Sequence, residues 1–177
     1  TVIKAVACDG STSSAHKSVV NTKIYTFSIP CQDRFVPLDV MMVLDRSGSM
    51  EGAKITAAKT AAKNFLDNLS PARDQSGLVS FSSSATLNKQ LTNDFVSVKT
   101  AIDGLSASGA TNIGDGLDKA NTELSSARAQ SGSTKVEILL TDGRANRPGS
   151  GDDNPTAVAL AQAEADEAAQ KGFLLFT

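Results

Sequence analysis

The stretch Asp39-Val40-Met41-Met42-Val43-Leu44-Asp45-Arg46-Ser47-Gly48-Ser49-Met50 constrains this chain more than any other. Its apolar run, Val40 to Leu44, stops abruptly at Asp45, Ser47 and Ser49. A run with no polar face suits a central strand of a parallel sheet, buried on both sides. The polar trio then falls in the loop at the strand's carboxyl end, where open α/β sheets place their ligands. One carboxylate and two hydroxyls, spaced by two, can turn their oxygens toward one point, with Gly48 letting the backbone bend. Hard oxygen donors of this kind suit Mg²⁺, or Mn²⁺ and Ca²⁺ less selectively. The competing reading is that Asp and Ser here only cap the next helix.

Two distant segments point to the same edge. Gly109-Ala110-Thr111-Asn112 sets a threonine hydroxyl in a loop before an apolar-periodic helix. Val136 to Leu140 is a second strand-like stretch, ending in the acidic turn Thr141-Asp142-Gly143. Three loops would then converge the oxygens of Asp45, Ser47, Ser49, Thr111 and Asp142.

The rest of the pattern alternates helices with strands. Ile55, Ala58, Ala62, Phe65, Leu66 and Leu69 recur at helical spacing over 53–69, and Ser70-Pro71 closes that helix. Residues 77–82 read as a strand and 85–91 as its antiparallel neighbour. Phe95, Val98, Ile102 and Leu105 mark a second helix; Ile113, Leu117, Ala120 and Leu124 mark a third. A strand over 136–141 leads into a Gly/Asp/Asn loop over 143–154. Pro155 suits the first turn of a helix over 156–171, Gly172 its end, and Phe173 opens a further strand. This order predicts an α/β fold: a doubly wound, Rossmann-like, mostly parallel sheet with helices on both faces.

Residues 1–36 differ from this main domain at 37–177. Two short strand-like runs, 1–7 and 23–29, flank the polar stretch 9–18, suggesting a short N-terminal β extension. Cys8 and Cys31, the chain's two cysteines, both lie there. Two thiols are one possibility; a disulfide is favoured, because the segment has little core of its own, and it would place the protein outside the cytosol. A net charge of −2 offers nothing to nucleic acid or anionic membrane. No apolar run approaches the roughly 18 residues of a membrane-spanning helix, so no membrane insertion is expected in this segment. A start at Thr1 without a basic n-region suggests processing or excision from a longer precursor.

With the three loops in this order, the sequence resembles a von Willebrand factor type A domain carrying a metal-ion-dependent adhesion site. The family pattern Asp-x-Ser-x-Ser is filled by Asp45, Ser47 and Ser49, its threonine by Thr111, and its last aspartate by Asp142. The resemblance covers roughly residues 37–177. It implies that Ser47, Ser49 and Thr111 touch the metal, that Asp45 and Asp142 act directly or through water, and that an acidic partner side chain fills the open position. It further implies an adhesion or protein-binding module of an extracellular or cell-surface protein, whose protein or matrix ligand exposes an Asp or Glu. The second reading is a structural subunit of a surface filament or envelope assembly, meeting copies of itself or neighbouring subunits. Family members complete the sheet with a further helix, strand and closing helix, so this domain is expected to lack its last elements.

Other residues have plainer explanations. Arg144 and Arg147 follow Asp142 on the expected binding face and could meet an anionic partner, or only solubilise the loop. Arg46 should point away from the metal, paired with a carboxylate or, as the favoured reading, solvated. Asp115 suits a helix N-terminus without further role. Asp152, Asp153 and Asn154 lack calcium-loop spacing; Asp153 or Asn154 should cap the last helix. An enzyme is not expected. The one histidine, His16, lies in the polar stretch, and neither a Gly-x-Ser-x-Gly elbow nor a phosphate-binding loop is present. A metal-dependent hydrolase is the remaining alternative, but haloacid-dehalogenase-like phosphatases carry a second aspartate where this chain has Ser47.

Overall fold

The computed structural model describes residues 36–149 and 154–177. The expected β extension, with Cys8, Cys31 and His16, lies outside the described residues, as do Asp152 and Asp153. Five strands form one sheet: β1 (Leu38–Asp45), β2 (Gln75–Phe81), β3 (Ala85–Thr92), β4 (Thr134–Leu140) and β5 (Leu174–Phe176), in the order β3-β2-β1-β4-β5. β1 pairs in parallel with β2 and β4, and β5 in parallel with β4. β3 is the antiparallel edge. The helices are α1 (Ala53–Leu66), α2 (Phe95–Asp103), α3 (Ile113–Leu124) and α4 (Pro155–Gln170).

β1 is central because both its faces are apolar. Met41 and Val43 join a core with Leu117 and Ala120 of α3 and Ala157 and Ala168 of α4. Val40, Met42 and Leu44 join a second core with Ala62 and Leu66 of α1 and Val98 and Ile102 of α2. All five β1 side chains are buried. Each contributes about 1.5–3 kcal/mol on removal from water, so no other place in the sheet suits this run. β3 instead alternates: Ala85 and Leu91 are buried while Thr86, Asn88 and Gln90 face solvent, as an edge strand should.

Apolar periodicity overestimates two helices. α1 ends at Leu66, and the Asn68 and Leu69 amides bond back three residues, to Phe65 O at 3.0 Å and Leu66 O at 3.2 Å. α2 ends at Asp103, and Leu105 N similarly reaches Ile102 O at 3.2 Å. Leu69 and Leu105 remain buried. The pattern therefore marks what is packed, while the final turn tightens at each helix end. β2 and β4 begin two residues earlier than their apolar runs, because parallel pairing with β1 extends to Gln75 and Thr134. Asn154 caps α4, accepting from Ala157 N at 3.1 Å. α3 lies close on the sheet at Gly116, where a Cβ would stand 2.9 Å from the Phe81 ring and 3.3 Å from Val43.

One core residue contradicts its surroundings. Glu137 of β4 is fully buried, and neither carboxylate oxygen has a hydrogen-bond partner among the described residues. Burial, reinforced by the Glu164 carboxylate and opposed by Lys171, pushes its pKa up to about 7. The native state thus binds this proton more tightly than the unfolded chain. The favourable contribution is full below the ordinary glutamate range and is lost as pH rises through about 7. Glu137→Gln should therefore stabilise the domain at pH 8, by on the order of 2 kcal/mol. It should also flatten the rise in stability between pH 8 and pH 5, as measured by urea unfolding at each pH.

Candidate metal centre

Asp45 ends β1 at the carboxyl edge of the sheet and is fully buried. Its Oδ1 accepts from Ser47 N at 2.7 Å, and its Oδ2 from the Thr141 hydroxyl at 2.7 Å. The first bond folds the loop back on its own aspartate; the second ties β1 to the end of β4. The chain then winds through one 3₁₀ turn, Gly48–Met50, which presents two hydroxyls side by side. Ser47 Oγ and Ser49 Oγ lie 3.1 Å apart, and Ser49 Oγ donates to Asp142 Oδ1 at 2.8 Å. Oxygens from two loops, 93 residues apart in sequence for Ser49 and Asp142, therefore meet.

The Thr111 loop is clamped beside them by backbone bonds. Gly48 N donates to Gly109 O at 2.9 Å, and Ser108 N to Arg46 O at 2.7 Å. Gly48 does not supply a left-handed bend; the positive φ belongs to Gly109, at +83°. A Cβ on Gly109 would also stand 2.9 Å from Ser83 Oγ. From the other side Asn146 holds Thr111: its side-chain Oδ1 accepts from Thr111 N at 2.8 Å, and its amide donates to Thr111 O at 2.9 Å. Thr111 is itself buried. All five expected residues stand on these three adjoining loops.

Lys54, in the first turn of α1, reaches Asp142 Oδ2 at 2.5 Å. Its ammonium, with help from the Ser49 hydroxyl, holds the Asp142 carboxyl below the usual carboxylate range. Among the described residues no three His, Cys, Asp or Glu side chains gather to hold a metal. The donor set is two carboxylates and three hydroxyls, all hard oxygens, and its outer carboxylate already attracts a cationic group. That chemistry fits Mg²⁺, Mn²⁺ or Ca²⁺ and not a soft metal.

Two neighbours, Arg46 and Asp115, depart from expectation. Arg46 is half-buried, its Nε donating to Ser80 Oγ at 3.3 Å, rather than simply solvated. Asp115 does more than favour a helix terminus: its Oδ2 accepts from Ala85 N at 2.5 Å and joins α3 to the start of β3. Arg147 donates from its guanidinium to Gly149 O and from its backbone to Thr111 O at 3.2 Å, while Arg144 lies exposed on the same loop. Sequence reasoning missed Thr141, Asn146 and Lys54. Only Thr141 carried a signal, as a hydroxyl ending an apolar strand.

The model of the von Willebrand factor type A domain matches residues 39–177. The chain belongs to this family. The inter-alpha-trypsin inhibitor heavy chain H4 of Bos taurus is 41% identical over 132 residues, covering 68% of this chain. The chain spans 14% of that protein's length. The von Willebrand factor domain of the type V pili tip protein Mfa5 from Porphyromonas gingivalis superimposes with a TM-score of 0.57 at 27% identity, over 61% of this chain and 38% of that one. A von Willebrand factor type A protein from Catenulispora acidiphila gives 0.61 at 27%, over 73% and 31%.

Among the described residues of this type A domain, the Thr141 hydroxyl is the one side-chain donor on Asp45. Thr141→Val keeps the shape and removes it, leaving a buried carboxylate oxygen unpaired. The variant should lose about 1–3 kcal/mol in denaturant unfolding, whereas Thr141→Ser should recover most of the loss.

Proposed function

We propose that this type A domain is a divalent-cation-dependent binding module of an extracellular or cell-surface protein, engaging an acidic side chain of a protein or matrix partner. The observation that carries this reading is the continuous oxygen path Ser47 Oγ, Ser49 Oγ, Asp142 Oδ1, at 3.1 and 2.8 Å, at the sheet's carboxyl edge. Helix capping does not account for it: Ser47, which precedes the 3₁₀ turn, makes no side-chain cap bond, and the cap position of α1 is Gly52 rather than any of these residues.

Asp45, Ser47, Ser49, Thr111 and Asp142 would hold the ion. A bound dication supplies an electrophilic position for a carboxylate ligand, since two aspartates balance its charge and hydroxyls add none. The chain's own contribution is placement. Asp45 is fixed by Ser47 N and Thr141, Thr111 by Asn146, and the first two loops by Gly48 and Gly109. The hydroxyl–carboxylate contact here, Ser49 to Asp142 at 2.8 Å, engages a carboxylate already paired with Lys54, which supports binding rather than reaction. Arg144 and Arg147 border the site and would add favourable charge toward an acidic partner.

The likeness to a pilus tip protein supports a second reading, a subunit of a surface assembly, in which the acidic partner belongs to a neighbouring subunit. The two share one site and differ only in who carries the carboxylate. No helix among the described residues is long and apolar enough to cross a membrane.

Calorimetry tests the metal: Mg²⁺ should bind the wild type, and Asp142→Ala should abolish that heat while circular dichroism stays unchanged. Partner capture from a protein and matrix array should vanish in EDTA, return with Mg²⁺ or Mn²⁺, and fail for Ser47→Ala and Thr111→Ala. Capture that persists in EDTA would make the site structural only. For the extracellular placement, Cys8 and Cys31 should be bonded to each other. Mass spectrometry after alkylation without reduction should show neither thiol modified.

A further inference from the structure

Lys54 stands where a lysine is unfavourable. It is the second residue of α1, beside the positive end of the helix dipole, where anions are preferred. Its side chain is 59% exposed, yet it extends to Asp142 Oδ2 at 2.5 Å, while the carboxylate's other oxygen accepts from Ser49. The other α1 lysines with polar contacts point elsewhere: Lys59 to the carbonyls of Asp103 and Leu105, Lys63 to the Asp103 carboxylate at 2.6 Å. Lys54 is thus the one lysine of its helix directed at the candidate centre.

Accepting the metal reading above, we propose that Lys54 is a built-in competitor of the divalent cation, holding Asp142 by an ion pair that the cation must displace or weaken. The ammonium and the dication draw on the same carboxylate charge. Asp45 is the more firmly held of the two aspartates, its oxygens accepting from Ser47 N and Thr141, so the exchangeable pairing lies at Asp142. Lys54 therefore keeps Asp142 oriented while no dication is present, and it lowers the cation affinity. A side chain with several rotatable bonds, mostly in solvent, can leave without moving α1. The site then fills only above a cation concentration that Lys54 helps to set, rather than being permanently loaded.

The test is calorimetric titration of Mg²⁺ into the whole chain at fixed ionic strength, comparing wild type with Lys54→Met, Lys54→Arg and Lys63→Met. Lys54→Met should bind about three- to tenfold more tightly, the scale of one charge pair in a partly exposed setting. Lys54→Arg, which keeps charge and reach, should stay close to wild type. Lys63→Met removes the same charge from the same helix farther along, and should change affinity far less than Lys54→Met. Unchanged or weaker binding by Lys54→Met overturns the proposal. So does equal tightening by Lys63→Met, which would show only the general field of the helix, or by Lys54→Arg. If neither wild type nor Lys54→Met takes up Mg²⁺, the metal reading falls and this inference with it. If both bind equally, only the role of Lys54 falls.

Discussion

A buried carboxylate at the end of the central strand organises this domain. Asp45 has no access to water, and an ion in that position must be hydrogen-bonded or the fold loses several kcal/mol. Its two partners come from the loop that follows and from the end of β4. Satisfying one charge therefore folds the first loop and fixes the register of two strands at the binding edge. The apolar run before Asp45 makes this possible: with both faces of β1 covered by helices, the strand has one place in the sheet, and its last residue one place at the edge.

Other buried acids show what full satisfaction looks like. Asp39 accepts from Gln130 N, Gln130 Nε2 and Ser133 Oγ, and Asp74 from Leu38 N, Ser70 N and Arg73. Glu123 accepts from Nε and Nη2 of Arg128, each at 2.7 Å, and from Leu91 N at 3.0 Å. The Arg73 and Arg128 guanidiniums hold Asp74 and Glu123 below the carboxylate range. Their contribution is present above that range and is lost as pH falls through the depressed values. Glu137 has the opposite sign, so acidification strengthens one part of the core while weakening two others.

Much of this architecture was legible in the residues. Continuous apolarity separates β1 from the alternating β3, and the spacing of Ile113, Leu117, Ala120 and Leu124 marks α3 to the residue. The placement of Asp45, Ser47, Ser49, Thr111 and Asp142 on adjoining loops was legible from the order of the elements, while their role as ligands is a proposal. Helix ends were not, because Leu69 and Leu105 stay in the core after their helices have tightened. The supporting residues were hidden for a different reason. Asn146 acts through a loop whose path no periodicity encodes, and Lys54 reads as an ordinary solvated lysine until β4 brings Asp142 opposite it. Glu137 is invisible in the same way: in sequence it is a polar interruption of an apolar run, and only helices on both faces make it buried.

The two ends of the sheet divide their labour by how completely their anions are paired. At the amino end, Asp39 and Asp74 accept from backbone amides, a side-chain amide, a hydroxyl and a guanidinium, and a ligand arriving there would have to displace several protein donors at once. At the carboxyl end, Asp45 is equally fixed, but the other residues that hold Asp142 do so by a hydroxyl and by an ammonium on a long, exposed stem. Exchanging either contact costs little, because a serine hydroxyl can rotate its proton and a lysine can return to water. On the proposed reading, a cation would enter where the pairing is provisional and the backbone is not. The rigidity comes from Asp45, Gly109 and Asn146; the exchangeable charge comes from Asp142. A site assembled this way would take a ligand without rebuilding the loops that form it.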